Sequence, residues 1–248
     1  MYKTRSYSGA DLVKTAIALK HFFKYLALIP FFLSACGSDE TDSQPEKGFD
    51  YYPLTKGFYQ IYDVEETKYS EVADPETLLY QLKHEVVDSF ANDAAGITYV
   101  VYREKREDEG KPWVYVDTWS VRVNGNDIIV SEGNVPFVKL AVPLKKGRKW
   151  DGNKYNNLEP DQYEINSIEK TYEVGDEVFQ EVAVVEQEFE DDPIVYTDLR
   201  EEAYAKSVGL VYREITQLHY CTDEFCLNDQ IIESGVRLKQ TIREYGRK

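Results

Sequence analysis

Val121-Arg122-Val123-Asn124-Gly125-Asn126-Asp127-Ile128-Ile129-Val130 is the stretch on which the fold reading turns. Asn-Gly between two short apolar runs is a strong hairpin signal, because both residues accept the positive φ of a tight turn. The pattern on either side repeats with a period of two. Tyr80, Leu82, His84 and Val86 fall on one face, with Gln81, Lys83 and Glu85 on the other. Ile97, Tyr99 and Val101 alternate with Val100 and Tyr102, and Trp113, Tyr115 and Asp117 alternate with Val114, Val116 and Thr118. Near the end of the chain Val236, Leu238 and Ile242 oppose Arg237, Lys239 and Arg243. Such alternation marks antiparallel sheet with one watered face.

Turn signals at residues 92–96, at Gly175-Asp176 and at Asp191-Asp192-Pro193 separate further runs. Helical periodicity is scarce; Asp74–Leu79 and Cys226–Ser234 are read as short helices. The expectation is an all-β, antiparallel domain over residues 49–248, with about ten strands in a curved sheet, either a half-barrel or a sandwich. Pro53-Leu54-Thr55-Lys56-Gly57 recurs as Pro143-Leu144-Lys145-Lys146-Gly147, which suggests repeats over about 51–140 and 141–245. Coincidence in a chain rich in Tyr and Val is the competing reading.

Upstream of this domain the composition changes. Lys3, Arg5, Lys14, Lys20 and Lys24 face a single acid, Asp11, and the apolar run Tyr25–Ala35 follows. A basic stretch, a short apolar stretch and small residues at a cut site describe a secretory signal. As a helix that run would cover roughly 16 Å, about half a hydrocarbon core. Leu33-Ser34-Ala35-Cys36 resembles the lipobox of bacterial lipoproteins, which implies diacylglycerol on the Cys36 thiol and cleavage before it. More than one acyl chain on a residue gives stable membrane anchoring. Residues 36–48 read as an acidic flexible tether. Ser38-Asp39-Glu40 resembles the surface-export signal of Bacteroidota lipoproteins, so an outer-membrane lipoprotein on the periplasmic face or at the cell surface is expected.

The chain carries 29 basic and 45 acidic residues. Removing residues 1–35, with five basic and one acidic, leaves 24 and 44, a net charge of −20. That field repels nucleic acid, which is excluded as a partner. A solvated surface is one reading of the charge; attraction of divalent cations or cationic partners is another.

Few residues are suited to chemistry. With Cys36 lipidated, Cys221 and Cys226 form an even pair, and in an exported protein so close a pair reads as a disulfide. A metal reading would add His219 and needs reduced sulfur and a fourth ligand. His84 reads as a half-buried residue on an apolar face. The acids of Glu107-Asp108-Glu109 and Glu188–Asp192 lie near hairpin tips, where solvation competes with a calcium site. There is no G-x-S-x-G, no Walker loop and no G-x-G-x-x-G, so no catalytic residue, cofactor or metal is assigned. Trp113, Trp119 and Trp150 are the candidate binding platform, with Trp113 and Trp119 placed on one strand face by their spacing of six; core packing is the competing reading.

Glu202-Ala203-Tyr204-Ala205-Lys206-Ser207-Val208-Gly209-Leu210-Val211-Tyr212-Arg213-Glu214 resembles a signature of uncharacterised Bacteroidota lipoproteins, Tyr-Ala-x-x-Val-Gly-Leu-Val-Tyr-x-Glu. Tyr51-Tyr52-Pro53-Leu54 with Lys56-Gly57, and Lys146-Gly147 ahead of Trp150-Asp151-Gly152-Asn153, are similar to the same proteins. The resemblance covers most of residues 49–245 and implies a β-rich envelope lipoprotein without an assigned activity. Ser207 stands where the commoner form has Gly, which puts the tightness of that turn in question. The expected function is a membrane-anchored, non-enzymatic binding or protein-interaction module. Its partners would be the membrane through Cys36 and a glycan, a hydrophobic ligand or an envelope protein. A carboxylate-dependent hydrolase, for example one acting on glycans, is the alternative.

Overall fold

The computed structural model describes residues 48–92 and 96–248. Signal, lipobox, Cys36 and all of the tether but Gly48 lie outside the described residues, as does the middle of the turn at 92–96. A short 3-10 turn (Phe49–Tyr51) leads into twelve strands: β1 (Phe58–Ser70), β2 (Ala73–Asn92), β3 (Gly96–Arg106), β4 (Val114–Asn124), β5 (Asp127–Glu132), β6 (Val135–Ala141), β7 (Lys149–Asp151), β8 (Gln162–Val174), β9 (Glu177–Asp192), β10 (Tyr196–Ala205), β11 (Gly209–Tyr220) and β12 (Ile232–Arg247). They form one antiparallel sheet in the order β6-β5-β4-β3-β2-β1-β12-β11-β10-β9-β8-β7. Strand order follows the chain except where β1 pairs with β12, so the first and last described strands lie side by side at its centre. The sheet curls until its edge strands meet: the Val138 amide on β6 donates to the Gly152 carbonyl just after β7, at 2.8 Å. The shape is a nearly closed barrel, which protects sheet edges from stray pairing.

Twelve strands in a nearly closed barrel are close to the expected count of about ten in a half-barrel, while the two expected helices are absent. Asp74–Leu79 is part of β2, where Glu76–Leu79 pair with Glu65–Lys68 of β1; the ladder overrides the local helix signal. Cys226–Ser234 is turn followed by the start of β12. The hairpin at Asn124-Gly125 is present, with Asn124 paired to Asp127 and Gly125 at φ 61°.

Each Pro-Leu-x-Lys-Gly segment opens a six-strand run. Gly57 and Gly147 adopt φ 85° and 78°, and their amides donate to Val86 on β2 and Ile165 on β8, each at 2.8 Å. In both, the residue after the glycine donates back three positions, Phe58 to Thr55 and Arg148 to Lys145. A side chain at either glycine would strain the left-handed backbone.

Two hydrophobic clusters fill the molecule. One gathers Val121, Ile128, Leu140, Tyr163, Val185 and Tyr204. The other gathers Tyr62, Val64, Leu82, Phe179, Val182 and Val211. Val182–Val185 of β9 and Glu202–Ala205 of β10 are buried on both faces: Tyr204 belongs to the first cluster, its neighbours Ala203 and Ala205 to the second. Val182–Val185 and Ala203–Ala205 therefore read as short unbroken apolar runs rather than alternation.

Candidate functional site

At the junction of the two clusters sits a charged group. Glu202 on β10 is 1% exposed. Its Oε1 accepts from Lys139 Nζ of β6 at 3.2 Å and lies 3.3 Å from Arg213 Nε of β11, off the hydrogen-bond line. Its Oε2 accepts from the Tyr204 hydroxyl at 2.6 Å. Lys139 also lies 3.0 Å from Glu132 at the end of β5. Two carboxylates thus meet two cations, and the set is electrically neutral. Burial alone would raise the Glu132 pKa, but Lys139 and Arg213 outweigh it and hold the carboxyl below its usual range. Burial opposes the charge on Arg213, and the two glutamates more than offset that, keeping it cationic.

A second set lies beside the first. His84 on β2 packs between the rings of Tyr62 and Trp119, at 5.2 and 5.1 Å between centroids. Its Nε2 accepts from Arg103 Nε of β3 at 3.1 Å, which requires the neutral imidazole with its proton on Nδ1. Burial, then the charges of Arg103 and Arg213, push its pKa well below the ordinary value. Arg103 continues to Asp117 of β4 at 3.0 Å and stacks 4.0 Å over Trp119, whose indole N–H also reaches Asp117.

The cavity between these groups encloses about 30 Å³. That suits a water or two; a small-molecule site usually offers roughly 300 Å³ or more. Glu202 has both oxygens occupied by fixed donors, and burial raises the hydroxyl pKa values of Tyr62 and Tyr204 well above normal. Those two hydroxyls therefore keep their protons near neutral pH. The arrangement ties strands β2, β3 and β4 together, and β5, β6, β10 and β11 likewise.

Trp119 and Trp150 are buried in the first cluster, and the Trp150 indole donates to the Val138 carbonyl at 2.8 Å. Trp113 precedes β4 and is partly exposed beneath Arg106 and Lys83. Arg103 pairs with Asp117 and Glu104 with Tyr115, so Val116 is an extra, bulged residue. The bulge shifts the alternation by one, so a spacing of six no longer puts Trp113 and Trp119 on one face. Trp119 lies under Arg103 and Trp113 under Arg106, three positions apart on β3 and hence on opposite faces.

Cys221 and Cys226 are joined in the loop between β11 and β12. Cys221, Asp223 and Glu233 bring ligand atoms within 4.8 Å of one another, but the Cys221 sulfur is committed to the disulfide. His219 pairs with Tyr196 across β10 and β11 and stacks loosely on its ring at 6.5 Å. On the outer side of β8–β11, Glu164, Glu186, Glu201 and Glu214 form a continuous cross-strand row. Burial, then Glu214 and Glu186, raise the Glu201 pKa.

The signature at 202–214 supplies Glu202, Tyr204 and Arg213, none of which was singled out from the sequence. The available signal was a carboxylate directly before the apolar run Ala203–Ala205 and an arginine that becomes its direct cross-strand partner when β10 and β11 pair.

No protein-family model and no curated protein matches the chain. Among solved structures, a protein named as exported, with a YmcC-like fold, from Bacteroides fragilis is 12% identical, over 79% of this chain and 98% of its own, with a TM-score of 0.42. One named as a lipoprotein, from Parabacteroides distasonis, is 11% identical, over 79% and 98%, with a TM-score of 0.40. At those values neither transfers a site residue or an activity.

Proposed function

We propose that the chain is an outer-membrane lipoprotein, held by lipid on Cys36 and related to the Bacteroidota lipoproteins its signature resembles, whose barrel is a non-enzymatic binding module. The observation that supports binding over catalysis is the saturation of Glu202 by Lys139, Arg213 and Tyr204. A carboxylate so held is neither a free base nor a nucleophile. The small cavity speaks against a hydrophobic ligand carried inside and directs attention to the outer surfaces. Metabolic labelling with an alkyne fatty acid tests the anchor. The intact chain should label and pellet with membranes, and Cys36→Ala should do neither. A Cys36→Ala protein that still labels overturns it.

A further inference from the structure

We infer that the upper edge of β4 captures an extended, acidic segment of another protein by strand addition. This rests on the reading of the barrel as a binding module. β4 pairs with β3 from Val114 onward, but β5 begins to pair only at Ser120. Among the described residues no strand pairs with Val114–Thr118 on the side away from β3. The backbone groups on that side form a template for one more strand. Three apolar side chains stand open there, Val114, Tyr115 and Val116 at 62, 58 and 46% exposed; the guards this edge carries are the bulge at Val116 and Asp117, whose charge Arg103 neutralises. Natural edges are usually blunted by charge. The corresponding stretch of β9, beyond its last pair with β8 at Glu186, shows this, carrying Glu188, Glu190, Asp191 and Asp192.

Charge identifies the occupant. Beside the edge runs a groove of about 430 Å³ with Pro112, Val114 and Val116 as its apolar surface. Lys105, Arg106 and Lys111 border it against one acid, Glu107. A chain of net charge −16 thus places three cations along this groove, Lys105 and Arg106 on β3 and Lys111 in the turn that follows it. On the outer face Tyr115 packs edge-on against Tyr102 at 5.9 Å, both exposed. A strand with alternating apolar and acidic side chains would bury Val114 and Val116 and place its carboxylates among the cations. A second copy of this chain would instead add its own negative field.

The test uses the full-length protein in detergent micelles and a fluorescent heptapeptide of alternating glutamate and valine. Anisotropy should show saturable binding, and amide hydrogen exchange across Val114–Thr118 should slow about tenfold on saturation. Val116→Lys and Lys111→Glu should each weaken binding about tenfold, with unchanged thermal midpoints showing that both variants fold. Equal binding of the lysine-for-glutamate peptide overturns the inference, as does binding without protection of Val114–Thr118. Concentration-dependent dimerisation abolished by Val116→Lys would assign the edge to a second copy and overturn it as well. The peptide assay does not depend on acylation, so it fails or succeeds separately from the fatty-acid labelling.

Discussion

Lys139 on β6 and Glu202 on β10 meet across the barrel, Nζ to Oε1 at 3.2 Å, with both side chains nearly inaccessible to water. The two residues are 63 positions apart, and only the curling of the sheet joins them. Their partners Glu132 and Arg213 make the group neutral, and its integrity depends on every member.

Glu202→Gln removes one negative charge and leaves two buried cations, Lys139 and Arg213, against the single carboxylate of Glu132. Breaking a buried ion pair from one side costs about 3–5 kcal/mol. Glu202→Gln should therefore unfold in urea with about that loss of stability, and Lys139→Met added to it should recover part. A single-variant loss under about 1 kcal/mol in equilibrium unfolding would contradict the burial of this group.

His84 sets a pH dependence of defined sign. Its pKa in the folded barrel is pushed well below 6.5 by burial and the neighbouring arginines. Below 6.5 the unfolded chain takes up a proton that the folded chain refuses. Stability contributed by the neutral imidazole is thus complete above that pH and declines as pH falls toward the folded pKa. The slope is about 1.4 kcal/mol per pH unit. His84→Phe should flatten the profile between about pH 5 and 6.5, where few carboxylates titrate. Urea denaturation at several pH values checks this; identical slopes in the two proteins would place the proton elsewhere.

The hairpin at Asn124-Gly125 was legible because its signal is local: two residues fix the turn and the flanking alternation fixes the faces. Asp74–Leu79 was misread because Asp-Pro-Glu followed by two leucines has the form of a helix start, while pairing with β1 is invisible in the segment itself. The shared face of Trp113 and Trp119 depended on unbroken alternation, which the extra residue Val116 interrupts. Of the polar cluster only Glu202, directly before an apolar run, gave any signal. Lys139 and Glu132 come from strands far from Glu202 in sequence, and each of them alone looks like an ordinary surface charge.

The turn between β10 and β11 offers a paired test. Gly209 sits at φ 90°, and a Cβ there would lie 3.0 Å from Gln60 Nε2 and 3.2 Å from Pro53 Cδ. Gln60 is fixed by donating to the carbonyls of Val208 and Leu210. Gly209→Ala should cost about 2 kcal/mol or more, from the left-handed backbone and the displaced Gln60. Ser207 is also left-handed, at φ 63°, and its amide donates to the Asp50 carbonyl at 2.8 Å. Ser207→Gly relieves that strain but frees the unfolded chain, so the two terms should cancel to within about 1 kcal/mol. Thermal midpoints of the two variants should fall on opposite sides of this contrast; a tolerant Gly209→Ala would show that the turn relaxes.

Cys221 and Cys226 close a small ring at the end of the β11–β12 ladder. The Cys221 amide already donates to the Ile231 carbonyl at 2.8 Å, so the base of the loop is held by backbone bonds as well as by sulfur. The chain-entropy estimate for so short a loop is about 2 kcal/mol. The loop itself is mostly exposed, with Phe225 standing 94% in solvent, so little packing should be lost with the bridge. Replacing both cysteines by serine should lower stability by about that amount and speed amide exchange across residues 222–231. Exchange along the paired residues 212–219 of β11 should change only to the extent of the global loss. Fraying that spreads down β11 would instead mean that the bridge anchors the ladder.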